Sequence, residues 1–306
     1  MEYKTLGGTK EKISAVGLGS WKLGAEGEKK AIAALRAGFD AGIDFVDTAE
    51  MYGTEPLVGR AIRGRKGIFV ASKVLPSHLR YDDVIRACDA SLGRLGVRTI
   101  DLYQVHWPNR KIPIRETMRA MEKLVRDGKI RYIGVSNFSA EEVTEAREAL
   151  KANDLVSDQV EYSLMVREVE RELLGYCSRR GLTVVAYSPL AHGAIYDARH
   201  ADLLRLLSEV GKAYGKTPTQ VAMNWLVRQR GVVAIPKAST PEHARELAGS
   251  AGWRLSARDA GAIGDLAVRG HLQPPIKWGP LLRRFPGLMS LAAWSERRDL
   301  KRRGVR

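Results

Sequence analysis

Eight times along this chain a short apolar run is followed by a segment with helical spacing, and no linker interrupts the series. That alternation constrains the fold more than any single motif. Parallel strands cannot be joined by tight turns, so strand and helix in strict rotation imply a parallel sheet with helices packed on it. The strands are read at Val16–Gly19, Asp44–Asp47, 67–73, Ile100–His106, Ile130–Val135, Val156–Val160, Leu182–Tyr187 and Val232–Ile235. The helices between and after them are read at Glu28–Ala41, Glu55–Arg63, Tyr81–Leu95, Arg115–Asp127, Ala140–Lys151, Val166–Arg180, Thr217–Arg228 and Pro241–Gly249. A long insertion with a further helix at Ala201–Ala213 precedes Thr217. Ahead of the series, Tyr3–Leu6 and Lys12–Val16 alternate around Gly7-Gly8-Thr9 and predict a β-hairpin.

Eight such units in about 250 residues fit a closed (β/α)8 TIM barrel better than an open doubly wound sheet. The open sheet's dinucleotide fingerprint is also missing. Gly17-Leu18-Gly19 follows a strand, but the third glycine position is Lys22. Gly215-Lys216-Thr217 lacks the earlier glycine of a phosphate loop, since Val210 stands there, and Thr217-Pro218 reads as an N-cap and first helical residue. The expectation is α/β: one domain over 1–306, with an N-terminal hairpin and extra C-terminal helices or loop over the barrel mouth, 269–306 forming a basic tail.

The formal charge of +15 raises the question of nucleic acid. Ten Lys and Arg against two acids lie between Arg269 and Arg306, so +8 of that charge belongs to the tail. No reading element accompanies it, and nucleic-acid binding is not expected. Cys88 and Cys177 have no metal-ligand spacing and read as reduced, structural thiols. No apolar run is long enough to span a bilayer, and the expected setting is cytoplasmic. The sequence leaves oligomeric state open between a monomer and a weak dimer.

In a (β/α)8 barrel, functional groups come from the C-terminal ends of strands and the loops that follow. Those positions here hold Asp47 with Tyr52 on the next loop, then Lys73, then His106. Each has a structural reading: Asp47 as a helix cap, Tyr52 as a surface ring, Lys73 snorkelling, His106 bonded to a carbonyl. Together they suggest proton transfer. A phenol with its ordinary pKa of ~10 is a poor acid at neutral pH, and bringing it to ~8 takes about 2.7 kcal/mol of preferential interaction. Lys73 supplies a cation for that purpose, Asp47 holds it, and His106 orients a carbonyl oxygen beside the Tyr52 hydroxyl. These groups still need an electron source.

The stretch from Gly42 to Gly53, Ala71-Ser72-Lys73, Asp101 to Pro108, Gly134 to Phe138, Asp158-Gln159, Tyr187 to Leu190 and Ile235-Pro236-Lys237 together carry a resemblance. Over essentially its whole length the chain resembles the aldo-keto reductases. The resemblance implies hydride transfer from NADPH, with NADH possible, to an aldehyde or ketone, with Tyr52 as general acid and Asp47, Lys73 and His106 as its partners. It implies that Ser136, Asn137 and Gln159 bind the nicotinamide carboxamide, that Tyr187 stacks on the ring, and that Ser188 and Leu190 lie against the pyrophosphate. Ser20 and Trp21 would border cofactor and substrate. Lys237, Ser239 and Thr240 would hold the 2′-phosphate end, where His243 replaces a frequent Arg and Leu247, after Glu246, a frequent Asn. Trp21 and Trp107, with Tyr52 and His106, would wall the substrate pocket, and Trp278, Phe285, Leu288 and Trp294 would fold over it. From the residues alone, Ser136-Asn137 could instead cap a helix, and the tail could meet a membrane surface or partner. A cofactor-binding regulatory subunit on the same scaffold is the alternative function.

Overall fold

The computed structural model describes residues 1–25 and 27–269. The apolar runs become ten strands. A two-stranded antiparallel hairpin, β1 (Tyr3–Thr5) and β2 (Lys12–Ser14), pairs with Tyr3 opposite Ser14. Eight parallel strands follow in chain order around one sheet: β3 (Leu18–Gly19), β4 (Phe45–Asp47), β5 (Phe69–Val74), β6 (Ile100–Val105), β7 (Ile130–Ser136), β8 (Leu155–Glu161), β9 (Thr183–Tyr187) and β10 (Val232–Ala234). The sheet curls until its ends meet. Val16 bridges Ala234 in parallel, Gly17 N donates to the Ala234 carbonyl at 2.8 Å, and Gly19 N donates to the Pro236 carbonyl at 2.9 Å. That seam turns an open sheet into a barrel and removes its edges.

The helices form the outer layer: α1 (Glu28–Asp40), α2 (Glu55–Ile62), α3 (Tyr81–Leu95), α4 (Ile114–Arg126), α5 (Ala140–Ala149), α6 (Leu173–Arg180), α7 (Ala201–Tyr214), α8 (Pro218–Val227), α9 (Pro241–Ala248) and α10 (Ala257–Arg269). Their starts are chemically marked. Ser139 and Glu142 form a reciprocal capping box on α5, and Thr217 and Gln220 form one on α8 with Pro218 in the first turn. The cap of α5 is therefore Ser139, which removes helix capping as an explanation of Ser136 and Asn137. Helix α10 packs on the barrel's outer wall, where Trp225 donates to the Ala260 carbonyl at 3.0 Å and Tyr214 to Asp259 at 2.7 Å.

Alternation of side chains across each strand splits the core in two. One cluster lies between strands and helices; the other fills the barrel interior with Phe45, Phe69, Ala71, Leu102, Val185 and Val233. Leu6 and Ile13 of the hairpin join the interior cluster and plug its lower end. The hairpin is anchored by Gly7 N donating to the Thr183 hydroxyl at 2.7 Å and by the Lys4 ammonium donating to the carbonyls of Val227, Gln229 and Val232. With its lower end filled by hydrocarbon, the barrel interior opens to a cavity at the strands' C-terminal ends.

One stretch departs from expectation. Val166–Arg180 is not a single helix: a 3-10 turn, Glu168–Glu170, precedes α6, and Glu172 leaves helical geometry. The Glu170 carboxylate accepts from the Tyr162 hydroxyl at 2.7 Å and from Arg167 at 2.6 and 2.8 Å, which pulls the turn out of the helix axis. Trp278, Phe285, Leu288 and Trp294, expected over the mouth, lie outside the described residues. Cys88 and Cys177 are buried and unbridged, and burial pushes both thiols up to about 12.

At the seam Gly19 has no room for a side chain: a Cβ there would sit 2.7 Å from the Ile235 carbonyl oxygen. Gly19→Ala is expected to lower unfolding free energy by about 1–3 kcal/mol in urea titrations. Gly8→Ala, where a Cβ meets nothing within 4 Å, serves as the near-neutral control.

Candidate active site

Parallel register brings the four singled-out residues together. Asp47 ends β4, Lys73 is the penultimate residue of β5, and His106 follows the last residue of β6. Lys73 is fully buried, so it does not snorkel. Its ammonium donates to Asp47 Oδ1 at 2.5 Å, to the Thr48 carbonyl at 2.8 Å and to the Tyr52 hydroxyl oxygen at 3.4 Å, which uses all three of its protons. Asp47 caps no helix. Its other oxygen, Oδ2, accepts from the Gln159 amide at 2.8 Å and from the Gln104 amide at 3.4 Å. Tyr52 ends a 3-10 turn (Glu50–Tyr52), with its hydroxyl 3.5 Å from His106 Nε2 and its ring edge-on to the imidazole at 5.4 Å between centroids.

The electrostatics follow from burial. Removal from water pulls the Lys73 ammonium below its ordinary pKa, although the Asp47 charge and hydrogen bond oppose this. His106 is driven well below the ordinary imidazole range, first by burial and then by the Lys73 charge, so it is neutral at physiological pH. Its Nδ1 is buried with no hydrogen-bond partner among the described residues, while Nε2 faces Tyr52. A neutral imidazole can donate one hydrogen bond towards the cavity, and the Tyr52 hydroxyl, accepting from Lys73, keeps its own proton to give.

These groups line a cavity of about 600 Å³ at the barrel mouth. Trp21, Met51 and Trp107 form apolar surface beside Tyr52 and His106, and Ser136, Asn137, Gln159, Tyr187, Ser188, Leu190 and Lys237 form the rest of the wall. The polar wall is tightly ordered. Tyr187 OH donates to Asn137 Oδ1 at 3.0 Å, Asn137 Nδ2 donates to the His106 carbonyl at 3.1 Å, and Ser136 donates to the Gln159 carbonyl at 2.8 Å.

Along the segment 188–193, Ser188, Ala191 and His192 all have φ near +50°, as does Asn137 at 64°. Left-handed backbone at non-glycine residues is costly and gathers at ligand clamps. Pro189 has no N–H, and the Ala191 and Gly193 N–H groups close tight turns on the Ser188 and Leu190 carbonyls at 2.8 and 2.9 Å, while the exposed Lys237 lines the same cavity and supplies a cation there. This wall, with an aromatic ring, side-chain amides and a cation, fits a nicotinamide dinucleotide.

The other sequence candidates are placed differently. Ser20 lines the cavity, but its hydroxyl is buried against Thr54 at 2.8 Å. Ser239 stands just before α9, Thr240 caps that helix by accepting from His243 N at 3.2 Å, and none of Ser239, Thr240 or His243 lines the cavity. Glu246 lies outside the cavity too, its carboxylate accepting from the Thr217 hydroxyl at 2.6 Å. Gln104 is a residue the sequence reading missed. Two positions before His106 on one strand, it shares that residue's face, so period-two alternation was the available signal. Met51, Lys22 and His192 also line the cavity; the positive φ of Lys22 and His192 leaves no mark in the sequence.

Comparison with known proteins accords with this geometry. The model of the aldo/keto reductase family matches residues 15–267. Methylglyoxal reductase YeaE of Escherichia coli is 39% identical over 244 residues, covering 77% of this chain and 84% of that protein. Glyoxal reductase of Bacillus subtilis is 34% identical over 251 residues, covering 81% and 86%. Among solved structures, a thermostable aldo-keto reductase in complex with the inhibitor epalrestat superposes with a TM-score of 0.81 at 40% identity, covering 87% of this chain and 100% of that one. An aldo-keto reductase from Klebsiella pneumoniae in complex with NADPH gives 0.80 at 38% identity, covering 90% and 97%. The chain belongs to the aldo/keto reductase family of oxidoreductases.

His106 also sets a pH dependence of stability. Between its depressed folded value and the ordinary 6.5, the unfolded chain binds a proton that the folded chain refuses, so stability falls as pH falls through that window. His106→Asn is expected to flatten this: between pH 7 and pH 5 its urea midpoint drops less than the parent's. An equal drop means that His106 does not titrate in this way.

Proposed function

We propose that the enzyme reduces aldehydes and ketones to alcohols with NADPH, and that Tyr52 is the general acid. The observation that carries the reading is the Tyr52 hydroxyl at the cavity wall, 3.4 Å from the buried Lys73 ammonium and 3.5 Å from neutral His106. A reduced nicotinamide supplies the hydride when bound. Ser136, Asn137 and Gln159 would hold its carboxamide, Tyr187 would back the ring, and Ser188 and Leu190 would lie along the phosphates.

The substrate carbonyl oxygen sits between the Tyr52 hydroxyl and His106 Nε2, where negative charge develops as the carbon is reduced. His106, kept neutral by burial, contributes a hydrogen bond rather than a proton. Tyr52 delivers the proton, and the Lys73 ammonium stabilises the phenolate left behind. Asp47 keeps the ammonium in place. Trp21, Met51 and Trp107 offer flat apolar surface to the rest of the substrate and favour hydrophobic or aromatic substituents. The names of the two curated relatives add methylglyoxal and glyoxal to the substrates worth assaying.

A regulatory-subunit role is disfavoured by the complete proton-transfer constellation and by relatives named as reductases. A cytoplasmic setting belongs to the same reading, supported by two unbridged cysteines and by the lack of any helix, among the described residues, able to cross a membrane.

Two measurements test the proposal. With a panel of aromatic aldehydes, methylglyoxal and glyoxal, the enzyme is expected to turn over with NADPH, and Tyr52→Phe is expected to lower kcat by about 10²–10⁴-fold. Turnover unaffected by that change removes Tyr52 as the acid. For cofactor choice, Lys237→Ala is expected to weaken NADPH binding about tenfold while NADH changes little, since a Lys–phosphate contact is worth roughly 1.4 kcal/mol or more. Equal weakening of both dissociation constants rejects Lys237 as a 2′-phosphate contact.

A further inference from the structure

Tyr52 stands on a connector, not on a strand. The backbone rung between Thr48 N and the Ala71 carbonyl, 2.9 Å, lies four residues back, and the turn from Glu50 to Tyr52 closes on itself through Tyr52 N and the Ala49 carbonyl at 3.1 Å. Yet the hydroxyl must meet both Lys73 and His106. Glu50 supplies an outside restraint. Its Oε2 accepts the Leu75 N–H at 3.0 Å, and its Oε1 lies 2.9 Å from His78 Nδ1.

Leu75 is two residues beyond Lys73, and His78 ends the 3-10 turn (Pro76–His78) that follows β5. From the far side of that turn, the Asn109 amide donates to the Pro76 carbonyl at 2.8 Å and ties in the loop that begins with His106 and Trp107. One carboxylate and one amide thus join the three segments that carry Tyr52, Lys73 and His106. The Glu50 side chain is 12% exposed and His78 43%, so the carboxylate is the sheltered partner of this pair. Met51 and Tyr52 line the cavity; Glu50 does not.

We propose that Glu50 is a positioning residue for the reaction, holding the Tyr52 hydroxyl in register with Lys73 and His106 through its double anchorage to Leu75 N–H and His78. The inference rests on Tyr52 being the general acid. Glu50 does not line the cavity, and its carboxylate hydrogen bonds run to Leu75 N–H and His78 rather than to Asp47, Lys73 or His106, so its influence on the chemical step passes through the placement of Tyr52.

The test is a double-mutant cycle on the full-length enzyme with an aromatic aldehyde and NADPH, following kcat, cofactor dissociation constant and melting temperature. Glu50→Ala is expected to lower kcat roughly 10- to 100-fold with cofactor affinity unchanged within about twofold, as for a misplaced catalytic group. Glu50→Gln keeps an acceptor for Leu75 N–H and restores most of the rate. In Tyr52→Phe, adding Glu50→Ala is expected to change the residual rate by less than about twofold, because the positioned hydroxyl is already gone.

Equal losses in both backgrounds, or an unchanged kcat in folded Glu50→Ala beside an inactive Tyr52→Phe, overturn the proposal alone. Undiminished turnover in Tyr52→Phe overturns the assignment of Tyr52, and this proposal with it. If Glu50→Ala does not fold, His78→Phe replaces it in the cycle. A loss of rate confined to the Tyr52 background supports the proposal, and an equal loss in both rejects it.

Discussion

The buried ion pair between Lys73 and Asp47 is the contact on which the rest of the site depends. Taking both charges out of water is expensive, and removing one partner from such a pair leaves an uncompensated charge that costs about 3–5 kcal/mol. The barrel holds the pair because β4 and β5 are neighbours in parallel register, and the amides of Gln104 and Gln159 satisfy the carboxylate oxygen that Lys73 does not reach. Once the ammonium is fixed, its remaining proton points at the Tyr52 oxygen, and its charge helps keep His106 neutral. The pair at two strand ends thereby adds to the burial that keeps His106 neutral.

Around that pair the barrel divides its labour by depth. Hydrocarbon fills the lower interior, where the hairpin residues Leu6 and Ile13 join Phe45 and Phe69. Polar side chains gather at the upper ends, where the strands run out and loops begin. The curved backbone of the upper cavity wall, with left-handed geometry at Ser188, Ala191 and His192, stands on the closed sheet beneath it.

The elements of the barrel were legible because their signals are local. Apolar runs and caps such as Thr217-Pro218 mark strands and helix starts without reference to the rest of the chain, and strand ends then place Asp47, Lys73 and His106 at one mouth. What stayed hidden depends on distance or on backbone angle. The bond from Gln159 to Asp47 spans 112 positions, and nothing around Gln159 announces it. The break before α6 depends on the Tyr162 hydroxyl and Arg167 competing for one carboxylate. The Thr217 hydroxyl donates to the Glu246 carboxylate across 29 positions, a pairing that no local motif announces.

The order of strands around the barrel has a consequence for how the site is assembled. Asp47, Tyr52, Lys73 and His106 all lie before α4, whereas Ser136, Asn137, Gln159, Tyr187, Ser188, Leu190 and Lys237 all come after it. Only the loop bearing Ser20 and Trp21 breaks this partition, reaching across the seam between the first and last barrel strands. The two sets are stitched together at the site, where the Gln159 amide donates to Asp47 Oδ2 and the Asn137 amide to the His106 carbonyl, so the later half of the chain orients groups of the earlier half. The constellation is therefore complete only when the two halves of the barrel have closed on each other, at the β6–β7 boundary as well as at the seam.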